Sequence, residues 1–293
     1  MKGLSRGTIN GVSKGLYAGT YMGAFGGGNS NTYYISQAET LAWINQLSLP
    51  KPSSLYKMKV DFLIKNLKEF GIWNQLDRLW VFSTEQQAHA RVSLVNPSGI
   101  NSAWPSNITE VNNPTWTRLK GYTGNGTSAY LNTNYTESTN GINATQNNVS
   151  TGIWCTNKAI TGSTEVDFGS NNGGSEILSQ YWNGNLNAYV NSASGGVYTG
   201  YGNTLGLTAM QRTSSSSINI LKNGVVISTP AENSTGVATT QTYIMTQNVS
   251  GSPQAGVYST RRYSIFFIGS GNINQVLLYN ILQRFAMEIG FYA

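Results

Sequence analysis

The chain has 293 residues, of which only 10% are charged and 11% are aromatic, and its formal net charge is +6. An ordinary soluble domain has about 25% charged residues, and disordered chains usually combine few aromatics with high net charge, so the composition argues against disorder and for an uncharged surface. Lys and Arg are scattered, and no apolar run approaches about 18 residues, so we expect neither nucleic-acid binding nor membrane insertion.

Residues 1–30 form a basic, Gly-rich segment that contains no acid and ends in three consecutive glycines. Its apolar residues stand singly between small ones, so the segment cannot build a core of its own. It is either a disordered terminus or an arm that becomes ordered on a partner surface. We predict a flexible anchoring arm. Its candidate anchor residues are Ile9, Leu16, Tyr17, Tyr21 and Phe25.

Residues 31–85 have helical patterning, and we predict that they form a small helical base or collar. Ser36 and Glu39 fit a capping box at the start of a first helix. Ser53 or Ser54 is a suitable start for a second helix, because apolar residues follow at helical spacing. A third short helical piece is predicted over residues 73–80. The positive and negative charges of the region nearly cancel, which favours a solvent-exposed helix face without a catalytic role.

From residue 86 to 293 the pattern changes to short runs of β-branched and aromatic residues between Asn, Gly, Ser and Thr turns. Strands are predicted at residues 90–95, 115–122, 128–133, 149–156, 164–168, 177–181, 186–190, 205–213, 218–221, 225–228, 242–246 and 262–268. Asn223 and Gly224, between two apolar runs, are a strong hairpin signal, because both residues tolerate positive φ. Many short strands at this spacing predict a sandwich or a barrel. A C-terminal helix, 274–288, begins after a capping Asn272 or Asn274.

Several segments, taken in order, are similar to a known family. They are LKGYTGNGTSAYLNT at 119–133, Arg212-Thr213 before 220–224, Phe267-Ile268-Gly269 before the last helix, and the helical pattern of 62–73. Together they resemble the concanavalin A-like (laminin-G-like) sandwich of many phage and prophage virion proteins, over residues 54–290. The resemblance implies a mainly β, antiparallel, two-sheet jelly-roll sandwich on fibres, spikes or decoration proteins. Such proteins are often homo-oligomers, and the resemblance implies no catalytic centre.

Sandwiches of this fold can also be glycoside hydrolases, which makes Glu165 and Asp167 candidates. Laminarinase-type enzymes carry Glu-x-Asp-x-x-Glu on one strand, and their two Glu carboxylates act about 5 Å apart. Here Ser170 stands where the second Glu is required. We therefore interpret Glu165 and Asp167 as polar residues on the solvent-facing side of a strand. They are also the one close acidic pair of the predicted sandwich that calcium could use, but we predict no metal and no cofactor.

The single His and the single Cys give no better catalytic site. His89 lies before the predicted sandwich, and no Gly-x-Ser-x-Gly nucleophile turn occurs. Cys155 shares the apolar face of its strand with Val149 and Ile153, which predicts a core position. One Cys cannot form an intrachain disulfide, and one His cannot anchor a multi-histidine metal site. We predict no catalytic residue, and hence no enzyme.

Sugar binding requires exposed aromatics for stacking and amides for hydroxyl groups. A candidate glycan or interface platform combines both residue types: Tyr181, Trp182, Asn183, Asn185, Tyr189, Tyr198 and Tyr201. The same residues could instead belong to the core and to a subunit interface. Of these two interpretations we favour the core and subunit interface.

The function predicted from the sequence is a structural component of a phage virion, such as a capsid-associated head fibre, spike or decoration protein. The arm would anchor it to other virion proteins, and the sandwich would project outward in a homo-oligomer and contact host-surface glycan. The alternative is a cell-surface carbohydrate-binding module or a weak glycoside hydrolase of the same fold.

Overall fold

A computed structural model describes residues 34–97, 107–157, 164–172, 174, 176–182, 184–193, 195–198 and 205–291. The predicted arm, residues 1–30, lies outside the described residues, and with it the candidate anchors Ile9, Leu16, Tyr17, Tyr21 and Phe25. No helix in the described ranges is long and apolar enough to cross a membrane.

Short helices flank a large set of strands. The α-helices are α1 (Ala38–Gln46), α2 (Ser54–Glu69), α3 (Gln87–Ala90), α4 (Glu137–Asn140) and α5 (Gln275–Ile289), with one turn of 3₁₀ helix at Trp73–Gln75. The strands are β1 (Leu76–Val81), β2 (Thr109–Val111), β3 (Thr115–Thr117), β4 (Gly121–Thr123), β5 (Tyr130–Thr136), β6 (Val149–Cys155), β7 (Thr164–Asn171), β8 (Glu176–Trp182), β9 (Asn185–Ser192), β10 (Gly196–Tyr198), β11 (Gly206–Arg212), β12 (Asn219–Lys222), β13 (Val225–Ser228), β14 (Gln241–Ile244), β15 (Gln247–Val249), β16 (Ser252–Pro253) and β17 (Arg262–Gly269).

The strands form two sheets, and all their described pairings are antiparallel except that of β15 with β7. The first sheet has the order β13-β12-β11-β6-β17-β4-β3, with β1 also paired to β17. The second has the order β10-β9-β8-β7-β14-β5-β2, and β15 and β16 extend it beside β7. The two sheets form the predicted sandwich. In the chain, α1 and α2 precede the first strand and α5 follows the last strand.

The first sheet is buried on both of its faces. Successive residues of β17 point to opposite sides, as the strand period requires. Phe266 therefore joins the core between the sheets, where it packs against Phe168. Phe267 faces the other way and joins a second cluster with residues of α2 and α5. In that cluster Trp154 stacks on Tyr279 of α5 at a centroid distance of 5.6 Å. The helices thus cover the outside of the first sheet.

Three predicted local signals are confirmed. The Ser53 side chain caps α2 by accepting from the Tyr56 backbone N–H at 3.2 Å. The Asn274 side chain caps α5 by accepting from the Leu277 N–H at 3.1 Å. Asn223 and Gly224 have φ values of 51° and 79° and connect β12 to β13 in a two-residue hairpin.

Two predicted elements are wrong. The third helical piece is helical only over Trp73–Gln75, and the chain then continues as β1, which pairs with β17. All six residues of β1 are buried, so its sequence shows none of the alternation that identifies a half-exposed strand. The strand predicted at 90–95 is absent: α3 ends at Ala90, and the segment contributes only an isolated bridge at Val92.

The predicted capping box at α1 is also wrong, because both of its side chains have other partners. The Ser36 hydroxyl donates to Asp61 at 2.7 Å, and Glu39 forms an ion pair with Lys68 at 2.8 Å. The residue at the N-cap is Gln37, whose side chain makes no capping hydrogen bond. The hydrogen bond from Ser36 to Asp61 therefore connects the start of α1 to α2.

Candidate functional site

The hairpin of β8 and β9 presents one face to the core and one face away from it. Opposite pairs in this hairpin are Leu178 with Tyr189 and Trp182 with Asn185. Tyr181 packs against the core between the sheets, whereas the next residue, Trp182, is 51% exposed. We call the side chains of Gln180, Trp182, Asn185, Asn187 and Tyr189 the outer face; they point away from the core by strand alternation.

The residues of the predicted platform do not form one surface. Tyr181 and Tyr198 pack against the core between the sheets. Trp182, Asn185 and Tyr189 lie on the outer face.

Asn183 and Tyr201 lie outside the described residues. The sequence gives the aromatic and amide residue types of this segment, but the face on which each side chain lies depends on whether its strand position is odd or even. Gln180, which lies opposite Asn187 in the hairpin, was not among the predicted residues and could have been found from the same alternation.

Tyr189 is held in place by its surroundings. It packs on a small apolar cluster made by Val166, Leu178 and Val257. Its ring also lies directly against Gly195, where an added Cβ would be 2.4 Å from the ring carbon Cε2. Burial, with the nearby carboxyl groups of Glu176 and Glu232, raises the pKa of Tyr189. The phenol therefore keeps its proton at neutral pH and can both donate and accept a hydrogen bond.

Trp182 is the exposed aromatic at the other end of the outer face. The register places Tyr189 opposite Leu178, four residues from Trp182 along β8, which corresponds to about 13 Å at the usual rise of a strand. Gln180 and Asn187 form the opposite pair between them. The outer face thus combines an exposed indole, a fixed phenol and amide groups that can donate and accept.

Glu165 and Asp167 lie between the sheets and not on a solvent-facing side, so that prediction is wrong. Both are 1% exposed. Asp167 accepts from Arg261 Nη1 and from the Tyr263 hydroxyl, each at 2.6 Å. Glu165 accepts from the Thr260 backbone N–H at 2.9 Å. Buried carboxylates with these partners stabilise the contact between the sheets and are closed to a substrate.

A β-bulge explains this placement. Glu165 is opposite Tyr181 and faces inward with it, and the register shifts between Val166 and Phe168. A bulge places two residues against one, which re-aims the inserted side chain. Asp167 faces inward like Glu165, two residues before it, and the bulge turns Phe168 to the core as well, while Val166 lies on the opposite face. Simple alternation puts Val166 and Phe168 on one face and therefore predicts the two acids on the other.

His89 and Cys155 are buried groups. His89 is 1% exposed, and its Nε2 lies 3.2 Å from the Ser48 carbonyl oxygen; burial lowers its pKa. Cys155 is 2% exposed within the core between the sheets, as predicted, and burial raises the pKa of its thiol. Across the part of the chain that the structure describes, no three His, Cys, Asp or Glu side chains gather as metal ligands.

Comparison with known proteins gives a fold and no relative in sequence. Neither the protein-family models nor the curated proteins match the chain. The receptor-binding domain of botulinum neurotoxin C/D mosaic serotype is similar in structure, with a TM-score of 0.50 at 10% identity. A Trypanosoma rangeli sialidase bound to 2,3-difluorosialic acid gives 0.49 at 9% identity over 78% of this chain and 39% of the enzyme. Domain 4 of a Geobacillus stearothermophilus GH43 arabinanase, in complex with arabinotriose, gives 0.44 at 14% identity, over 71% of this chain and 98% of that domain.

The similarity to the neurotoxin domain covers 71% of this chain, which spans about half, 52%, of that domain. At 10% identity it establishes the arrangement of strands and no shared activity. The two antiparallel sheets and the flanking helices agree with this comparison: the chain folds as a concanavalin A-like β-sandwich.

Proposed function

We propose that the protein is a non-catalytic recognition protein that binds glycan on the outer face of β8 and β9. The observation that carries the proposal is the half-exposed indole of Trp182 on a paired strand, next to side-chain amides. When a flat apolar surface covers an exposed indole, apolar area is removed from water, and this burial favours binding.

A sugar ring offers the matching chemistry. Its C–H face is apolar and can stack on an indole, while its hydroxyl groups need donors and acceptors arranged around that stack. Asn185 lies directly opposite Trp182, and Gln180 lies two residues before it on the same strand. Carboxamides both donate and accept, so they can pair with hydroxyl groups in either direction.

The proposal rests on this face, because a fold shared at 10% identity does not transfer a ligand from one protein to another. The proposed lack of catalysis is supported by the burial of Glu165 and Asp167 and by Ser170, which stands where a glycosidase of this fold would carry its second catalytic Glu. Within the described residues, their hydrogen bonds to Thr260 and Tyr263 hold them inside the sandwich.

The test is glycan-array binding followed by titration calorimetry on the full chain. Trp182→Ala is expected to weaken binding at least about tenfold, which corresponds to about 1.4 kcal/mol. Tyr34→Ala is the matched control, because Tyr34 is an aromatic with 82% exposure that lies before α1. Equal affinity of Trp182→Ala and wild type, or an equal loss in Tyr34→Ala, would refute the assignment of the site.

The place of the protein on a phage particle remains a prediction from the sequence resemblance. We propose that residues 1–30 anchor it to other virion proteins and that the sandwich projects outward in a homo-oligomer. Deletion of residues 1–28 should abolish incorporation into particles while glycan binding by the sandwich is retained. Incorporation of the truncated chain at the wild-type level would contradict the anchoring role.

A further inference from the structure

The segment that builds the outer face contains almost no charge. Between Phe168 and Gln211 the sequence has one acid, Glu176, and no Lys or Arg. This stretch includes β8, β9 and β10 with all their connections. For a chain with 18 basic and 12 acidic residues, so long a neutral stretch sets this edge of the second sheet apart from the rest.

Within the part of the chain that the structure describes, the charges that reach Tyr189 from outside this stretch do not bring a free cation to the outer face. Glu232 lies behind β9 and β10, where it accepts from the Val190 and Gly196 backbone N–H groups at 3.0 and 2.8 Å. It forms an ion pair with Arg212 at 3.0 Å, and both side chains are fully buried. This pair is neutral as a unit, so among the described residues Glu176 is the one net charge that acts on Tyr189.

We infer that the outer face selects uncharged oligosaccharides and discriminates against sugars that carry a carboxylate, with Glu176 as a specificity-determining residue. The inference rests on the proposed glycan-binding function and adds the class of glycan. Its structural basis is the juxtaposition of Trp182, Tyr189 and amide groups with a single carboxylate and no cation on the same strands.

The physical reason is the desolvation of charge. A carboxylated sugar that stacks on the outer face loses part of its hydration, and no Lys or Arg from β8, β9 or β10 is present to replace it. The Glu176 carboxylate adds like-charge repulsion at the Tyr189 end. An uncharged sugar loses only hydroxyl hydration, which Asn185 and Gln180 can replace.

The experiment uses a glycan array of matched pairs, each a neutral oligosaccharide and its sialylated or uronic-acid counterpart, with lactose and sialyllactose as one pair. The neutral members are expected to bind at least about tenfold more tightly, with affinities that change little between about 50 and 500 mM NaCl. Equal or tighter binding of the acidic members, weakened by salt, would overturn the inference but leave the proposed function intact. Binding of no glycan at all would overturn both.

Glu176→Gln tests the specificity-determining residue itself. The variant keeps the side-chain oxygen that accepts from Asn171 and removes the negative charge. It is expected to leave the affinity for the neutral member unchanged. At low salt, the ratio of the affinity for the neutral member to that for the acidic member should fall about two- to fivefold. The same discrimination in the variant and the wild type would refute the role of Glu176.

Discussion

Glu137 is a buried carboxyl group that offers a sharp test of the electrostatics of the sandwich. Its Oε1 accepts from Asn191 Nδ2 at 2.7 Å. Its Oε2 and the Asn191 Oδ1 have no hydrogen-bond partner among the described residues. Burial raises the pKa of Glu137 to about 8, and the nearby Asp77 carboxylate adds to the shift. A proton on Oε2 can be shared with Asn191 Oδ1, which would complete the cyclic pair that a carboxylic acid forms with an amide.

The raised pKa predicts how stability changes with pH. Below pH 4.5 the group is protonated in both the folded and the unfolded chain, so it does not make the free energy of unfolding depend on pH. Between 4.5 and about 8 only the folded chain keeps the proton, so the free energy of unfolding falls by about 1.4 kcal/mol per pH unit as pH rises. Above pH 8 both states are ionised, and the loss has reached a total of about 5 kcal/mol.

Glu137→Gln is the perturbation. Its side-chain amide can donate to Asn191 Oδ1 at every pH, so the variant should match the wild type near pH 4.5 and exceed it by about 3–5 kcal/mol at pH 8–9. Urea unfolding at a series of pH values measures the difference between the two chains, which cancels contributions from other titrating groups.

Asp77→Asn is the control, because Asp77 accepts backbone N–H groups from Asn143 at 2.8 Å and Ala144 at 3.0 Å. In Asp77→Asn the side-chain NH₂ group would face these backbone N–H donors. The variant should therefore have a lower free energy of unfolding than the wild type at every pH. A Glu137→Gln variant that is no more stable than wild type at pH 8, or whose advantage does not change with pH, would refute the reasoning. Stabilisation of the wild type by Ca²⁺, lost in Glu137→Gln, would mean that the two oxygens bind a cation in place of a proton.

Three further predictions concern stability and can be measured by chemical unfolding of purified variants. Arg212→Leu should lower the free energy of unfolding by about 3–5 kcal/mol, because it leaves Glu232 buried without its ion pair; adding Glu232→Gln, which removes the unpaired charge and keeps an oxygen for the Val190 and Gly196 N–H groups, should recover part of the loss, and a double variant as unstable as the single would contradict this. Gly121→Ala should destabilise by about 3 kcal/mol or more, since a Cβ there would lie 2.0 Å from a carbonyl oxygen of β17. Its control is Gly256→Ala, which also has positive φ but has open space around it, and an equal effect of the two would disprove the steric argument. Asn274→Ala should cost about 1 kcal/mol through the lost cap of α5, and an unchanged unfolding midpoint would show that the cap is not needed.

The sandwich could be predicted from the sequence where its strands alternate or its turns have a chemical signature. Asn223-Gly224 required a two-residue hairpin, and the capping roles of Ser53 and Asn274 followed from residue type. The strand β1 could not be recognised, because burial on both sides removes the alternation.

The candidate site was only partly predictable for a related reason. The kinds of residue were right, but their faces depend on register, which separated Tyr181 from Trp182. Glu165 and Asp167 were placed on the wrong side because a bulge leaves no mark in the local sequence. The faces of these side chains depend on which strands pair and in which register, and neither can be derived from a single sequence.

The pairing of β1 with β17 also has a consequence for biosynthesis. Trp80 pairs with Phe266, across almost the whole length of the sandwich sequence. At roughly 5–20 residues per second, a ribosome needs on the order of 10–40 s to add the intervening residues. During that time β1 has no partner strand within its own chain, so its backbone groups are bonded only to water and can pair with a strand of another chain.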